Sequence, residues 1–212
     1  MAPEFAPYSE PEIRSPKEAQ IVEAACRLFL EQGYEITSMD AIAAEANVSK
    51  RTVYSHFRSK EVLFAEVMEG MCARFGVGER EAMDPNDPPE RFLSAVARFV
   101  LSKVLDPRMH SVTRTIAAES ASFPEMGQRF WAIGPGNIVL QVAEYLRRQD
   151  ELGALTVPDP RLSAGMFQSM VAGPIFLPML FTGSSIYSEA DRDRIAGEAT
   201  RAFLAAHRPA TR

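Results

Sequence analysis

The residues that could do chemistry lie together in Val48-Ser49-Lys50-Arg51-Thr52-Val53-Tyr54. On a helix, Ser49, Lys50, Arg51, Thr52 and Tyr54 face outward, while Val53 and Phe57, four apart, point back to a core. Such a face suits nucleic acid. Lysine and arginine neutralise phosphates, and either can bond the O6/N7 edge of guanine. Residues 47–60 hold Lys50, Arg51, Arg58 and Lys60 with no Asp or Glu, whereas the first helix of the chain carries Glu18, Glu23 and Glu31. The chain as a whole has net charge -5. Its overall field repels a duplex, so attraction must come from this local patch.

A side chain reads a groove only if its helix is held at a fixed angle, and the flanking residues supply that support. Ser15-Pro16 reads as an N-cap followed by proline at the first helical position, opening a helix whose Ile21, Ala25, Leu28 and Phe29 share a face until Gly33. Thr37-Ser38-Met39-Asp40 starts a short second helix with Met39, Ile42, Ala43 and Ala46 on one side. Asn47 stands where the chain must turn sharply, and asparagine tolerates the left-handed conformation. Val48 is expected to pack inward, and Ser49 to cap a third helix running to about His56. Ser59-Lys60-Glu61 begins a fourth, with Leu63, Phe64 and Val67 as its apolar face.

These residues carry a family resemblance. Thr37-Ser38-Met39-Asp40-Ala41-Ile42-Ala43, then Val48 through Phe57, then Ser59-Lys60-Glu61 resemble the DNA-binding domain of the TetR/AcrR regulators, over about residues 21–64. Asn47 stands where glycine is commoner in that family. The resemblance implies that Thr37 and Ser38 cap helix two and touch phosphate. Tyr54 and His56 would reach the DNA backbone, and Lys60 would add a phosphate contact from the start of helix four. Ser49 lies on the same surface, and Lys50, Arg51 and Thr52 are its candidates for base edges.

The expected fold is all-α: an N-terminal three-helix helix-turn-helix domain, then a larger helical ligand-binding and dimerisation domain, with about nine helices. Residues 1–15, rich in Pro and Glu, read as a disordered arm; 16–62 as the DNA-binding domain; 63–212 as the effector-binding and dimerisation domain. Gly76-Val77-Gly78 and Asp84-Pro85-Asn86-Asp87-Pro88-Pro89 mark a break after helix four. A second break is expected at Gly134-Pro135-Gly136. Residues 162–181 are nearly all apolar, but Gln168, Gly173, Pro174 and Pro178 and the lack of flanking aromatic or basic belts favour a protein interior over a bilayer. No membrane partner is expected.

A single helix-turn-helix gains affinity by pairing, and two half-sites of a palindromic operator require a homodimer. The last two helices, with residues 162–181 and Ile195, Phe203 and Leu204, are the expected two-fold contact, as the resemblance also implies. The helices between would enclose a pocket for a small, hydrophobic or aromatic effector. Its candidate lining is Phe99, Met109, Phe123, Met126, Phe130, Trp131, Phe167 and Met170, with His110, Arg114, Glu119 and Gln168 as polar anchors. Aromatic and Met positions at helical spacing are also the ordinary material of cores. No Gly-rich phosphate loop, Cys/His nucleophile pair or two-His metal spacing argues for an enzyme, and no cofactor or metal is expected. Two cysteines, Cys26 and Cys72, and no export signal at the N-terminus suggest the cytoplasm. The competing reading is an all-helical binding or adaptor protein without operator-specific DNA binding.

Overall fold

The computed structural model describes residues 15–74, 83–121 and 123–209. Most of the expected N-terminal arm and the Gly76-Val77-Gly78 stretch lie outside the described residues. Within them are ten α-helices, one 3-10 turn and no strand: α1 (Pro16–Gln32), α2 (Met39–Glu45), α3 (Lys50–His56), α4 (Lys60–Arg74), α5 (Pro89–Val104), α6 (Pro107–Glu119), α7 (Pro124–Ile133), α8 (Pro135–Glu151), α9 (Pro160–Thr182), the 3-10 turn Glu189–Asp191 and α10 (Arg192–Ala206).

The expected punctuation operates locally. The Ser15 side chain accepts from the Glu18 amide with Pro16 at the first helical position, and Gly33 ends α1 at positive φ. Gly134 divides what would otherwise be one long helix into α7 and α8. Pro124 opens α7, whereas α6 has already ended at Glu119. There Ser120 Oγ donates to the Ile116 carbonyl and sits so near Gly127 that a Cβ on Gly127 would lie 2.5 Å from it. Only glycine fits that corner without displacing the serine.

The described helices form two compact units. The first takes in residues up to Arg74 together with Ser111–Pro135. Its centre is a set of rings: Phe29, Tyr34 and Phe64 meet with centroids 4.9–5.6 Å apart, and Phe123 meets Tyr34 edge-on at 5.9 Å. Ile21, Ala24, Ala25, Leu63, Val67 and Met126 are buried in the same unit, and Arg129 of α7 reaches Glu66 of α4 at 3.8 Å.

The second unit takes in the described residues of 75–110 and Gly136–Arg212. α5 packs against α9 and α10, burying Leu93, Val96, Val100, Phe167, Val171, Ile175, Ala196 and Phe203. Phe92 stacks on Tyr145 at 3.8 Å, and the Tyr145 hydroxyl donates to the Asp87 carbonyl at 2.8 Å. Burial, then the nearby Asp87 charge, push the Tyr145 phenol up to about 12.

α9 continues through Pro174 and Pro178 and is long and apolar enough to cross a membrane by length and composition. Its two faces differ. Phe167, Val171 and Ile175 are buried, while Leu162, Met166, Met170, Leu177 and Phe181 are exposed, Phe181 at 80%. These five recur at helical spacing along one side. Ile195 and Phe203, expected on the two-fold contact, instead face inward, because α10 spends its apolar stripe on α5 and α9.

Candidate nucleic-acid interface

Two short helices and a tight turn position the surface. The Ser38 hydroxyl accepts from the Ala41 amide and caps α2. At the far end Asn47 takes φ +50°, among the described residues the only non-glycine at positive φ. That conformation lets the Val48 amide reach back to the Ala43 carbonyl at 3.0 Å, closing the turn. Val48 itself is half-buried. Gln20 of α1 donates to the Ala46 carbonyl, and Arg27 of α1 pairs with Glu45 at 3.0 Å, so α1 grips the end of α2 twice.

The Ser49 hydroxyl accepts from the Thr52 amide, capping α3, and lies 2.7 Å from the Thr52 hydroxyl. Val53 and Phe57 anchor the inner face. The outer face exposes Ser49, Lys50, Arg51, Tyr54, Ser55, His56 and Arg58, with Thr52 half-buried. Of nine expected contact residues, seven therefore share this surface or its margin: Ser38, Ser49, Lys50, Arg51, Thr52, Tyr54 and His56.

Thr37 and Lys60 take different roles. Thr37 is 1% exposed, and its hydroxyl points to the Gly33 carbonyl at 2.8 Å and the Leu28 carbonyl at 3.3 Å. Capping falls to Ser38 alone, and the Thr37 side chain, turned inward on the end of α1, has no free face for phosphate. The Lys60 ammonium donates to the carbonyls of Tyr34, at 2.9 Å, and Glu35, at 3.2 Å. It binds the α1–α2 turn to the start of α4 rather than standing free.

Two residues outside the expected set shape this surface. Tyr34, whose carbonyl receives Lys60, is buried, and burial followed by the Glu61 carboxylate pushes its phenol well above the usual range. Asp40, in the first turn of α2, meets the Lys50 ammonium at 2.7 Å and 2.9 Å through its two carboxylate oxygens. The hydrogen bond from Lys50 and the charge of Asp40 hold the lysine above its ordinary range. The type of residue 40 alone gives no hint of this pair, which spans the turn.

The expected effector lining divides between the two units. In the first, Phe123 and Phe130 are half-buried, Met126 is buried, and Arg114 and Trp131 are exposed. In the second, Phe99 and Met109 are buried, and Phe167 is packed edge-on against Phe203 at 5.1 Å. His110 is half-buried, its Nε2 against the Val104 carbonyl. Met170 lies on the exposed face of α9 rather than inward. No cluster of metal-ligating side chains occurs among the described residues.

Comparison with known proteins agrees with this geometry. Residues 21–67 match the family model of bacterial regulatory proteins of the tetR family, and residues 91–209 match the C-terminal domain of AefR-like transcriptional repressors. The HTH-type transcriptional regulator YhgD of Bacillus subtilis (strain 168) is 29% identical over 178 residues, 84% of this chain and 89% of that protein. Among solved structures, the flavonoid-responsive regulator FrrA is 31% identical with TM-score 0.76, covering 92% of this chain and 98% of its own. A regulator from Pseudomonas syringae pv. tomato str. DC3000 is 26% identical with TM-score 0.74, covering 92% and 99%.

Proposed function

The chain belongs to the TetR family of transcriptional regulators, and from that membership we propose that it is a cytoplasmic repressor acting as a homodimer on a palindromic operator. The observation that carries this reading is the α2–turn–α3 surface. Its recognition helix is capped by Ser49, seated by Val53 and Phe57, and exposes Lys50, Arg51 and Tyr54 in a stretch without acidic residues. A helix so held enters the major groove with its N-terminal residues toward the bases.

Pairing rests on the exposed side of α9. Leu162, Met166, Met170, Leu177 and Phe181 form an apolar stripe that a second copy would cover. Gly173 falls within it, and a Cβ there meets nothing within 4 Å.

Release is by a small hydrophobic or aromatic effector that binds better to a conformation whose two α3 helices are wrongly spaced. The half-buried aromatics Phe123 and Phe130 suit such a ligand. FrrA, named for its response to flavonoids, makes flavonoids the first compounds to screen.

The test is in vitro selection from a random duplex library with the whole protein, then anisotropy titration of the enriched duplex against random DNA. The expected sequence has two inverted half-sites about one helical turn apart. A promoter carrying it should be silenced by the protein in a reporter strain. No enrichment would overturn the DNA reading, and activation of the reporter would overturn repression alone.

A further inference from the structure

Lys50 and Arg51 are the first two residues of α3, where a recognition helix meets base edges, yet they are not equivalent. The Lys50 ammonium is engaged by both oxygens of Asp40 at 2.7–2.9 Å. Arg51 is exposed and has no ion-pair partner among the described residues. We propose that Asp40 is a specificity filter: it holds Lys50 out of sequence-independent phosphate binding and leaves Arg51 as the base-reading cation of α3, an inference that rests on the DNA-binding reading above.

The physical case begins with what each charge does near a duplex. A free lysine on this face adds affinity for every sequence alike, since each phosphate contact releases a counterion whatever the bases. A carboxylate bound to that lysine cancels its charge and itself repels phosphate. Both side chains remain more than half exposed, 59% for Lys50 and 63% for Asp40, so the pair sits on the DNA-facing surface and not beneath it. The pairing therefore weakens binding to random DNA, the competitor against which any operator must be found.

Arg51 loses nothing to this arrangement. Its guanidinium presents parallel donors in a plane that matches O6 and N7 of guanine, a geometry a lysine point charge cannot reproduce. Tyr54, three residues on and on the same face, is exposed beside it.

The experiment compares wild type, D40N, K50A, R51A and the double variant D40N/K50A on two probes: the duplex enriched by wild type and a random duplex of equal length. D40N should bind random duplex about three- to tenfold more tightly and steepen the dependence of log affinity on log salt by about one unit per protomer. Affinity for the enriched duplex should rise less, so the ratio between the two falls. In D40N/K50A the gain on random DNA should vanish, since it acts through the lysine. A repeat selection with R51A should lose a guanine preference that K50A keeps, with discrimination falling about five- to a hundredfold.

Unchanged random-duplex affinity and salt slope in D40N would overturn the filter. So would D40N weakening the enriched duplex with loss of a single cytosine preference, which would make Asp40 a base reader. Loss of the guanine preference in K50A and not R51A would overturn the assignment of Arg51. If wild type enriches no sequence, the DNA-binding reading and this inference fall together; if it does and D40N is silent, the inference alone falls. Melting curves of D40N, whose exposed isosteric change keeps the α2 start, exclude unfolding as a cause.

Discussion

Lys60 reaches 26 residues back along the chain to Tyr34, donating its ammonium to the Tyr34 carbonyl at 2.9 Å while lying 4.3 Å from the centroid of the same residue's ring. One side chain thus satisfies carbonyls left open after α1 and meets an aromatic face, and it fixes the start of α4 against the α1–α2 turn. Replacing Lys60 by Met keeps the stem and removes the charge. The expected loss is about 1–2 kcal/mol of stability in denaturant titration, with the salt slope of DNA binding unchanged. A slope flatter by about one unit with undiminished stability would return Lys60 to the phosphates.

Thr37→Val separates two roles for one buried hydroxyl. Valine preserves shape and leaves the Gly33 carbonyl without the donor it has at 2.8 Å. Stability should fall by about 1–2 kcal/mol, while operator affinity of the folded fraction stays within twofold. Anisotropy titration well below the melting temperature measures the second quantity. A large affinity loss at full stability would make Thr37 a contact residue after all.

Why the sequence separates these cases poorly is physical. Ser38 and Thr37 are adjacent, and either hydroxyl can cap a helix; only the return of the chain past Gly33 decides which is turned inward. Asn47 was legible because the left-handed conformation selects few residue types. The cap at Ser49 and the inward Val53 and Phe57 follow from short-range spacing, and they stand as expected. The Asp40–Lys50 pair and the Lys60 bonds are tertiary, set by how helices cross, and no local pattern encodes them. The same limit explains α10. Its apolar stripe marks Ile195 and Phe203 as buried against something, without saying whether that is their own chain or a second one.

The exposed stripe of α9 gives a direct test of pairing. Leu177 is 53% exposed, so Leu177→Glu should leave the helical circular dichroism of the protomer intact. Light scattering should report a monomer, and affinity for a two-half-site duplex should drop about 10²- to 10⁴-fold through loss of bivalency. A variant that stays dimeric would move the two-fold contact elsewhere.

Alkaline titration should reveal two slow tyrosines among the chain's five. Tyr34 and Tyr145 both hold their protons more tightly folded than unfolded, mainly because burial disfavours the phenolate. An unfolded tyrosine ionises near pH 10. Above that value the unfolded chain binds fewer protons than the folded one, so stability falls as pH climbs from about 10 toward 12. Absorbance near 295 nm should show the Tyr34 and Tyr145 phenolates forming only with the unfolding transition. Tyr145→Phe should remove one of this late pair, and ionisation of both phenols near pH 10 in the folded protein would refute the assignment.

The edge-on contact of Phe123 with Tyr34 joins residues almost ninety positions apart within one compact unit. That separation has a consequence for synthesis. A nascent chain released as far as α4 holds every helix of the DNA-binding surface but not the ring that closes over Tyr34. The head is completed only after α5, α6 and the start of α7 have left the ribosome, and closing so long a loop carries an entropic delay. In living cells the unit that carries the recognition helix is therefore completed late in translation, and a fragment cut after residue 74 would lack the Phe123 ring.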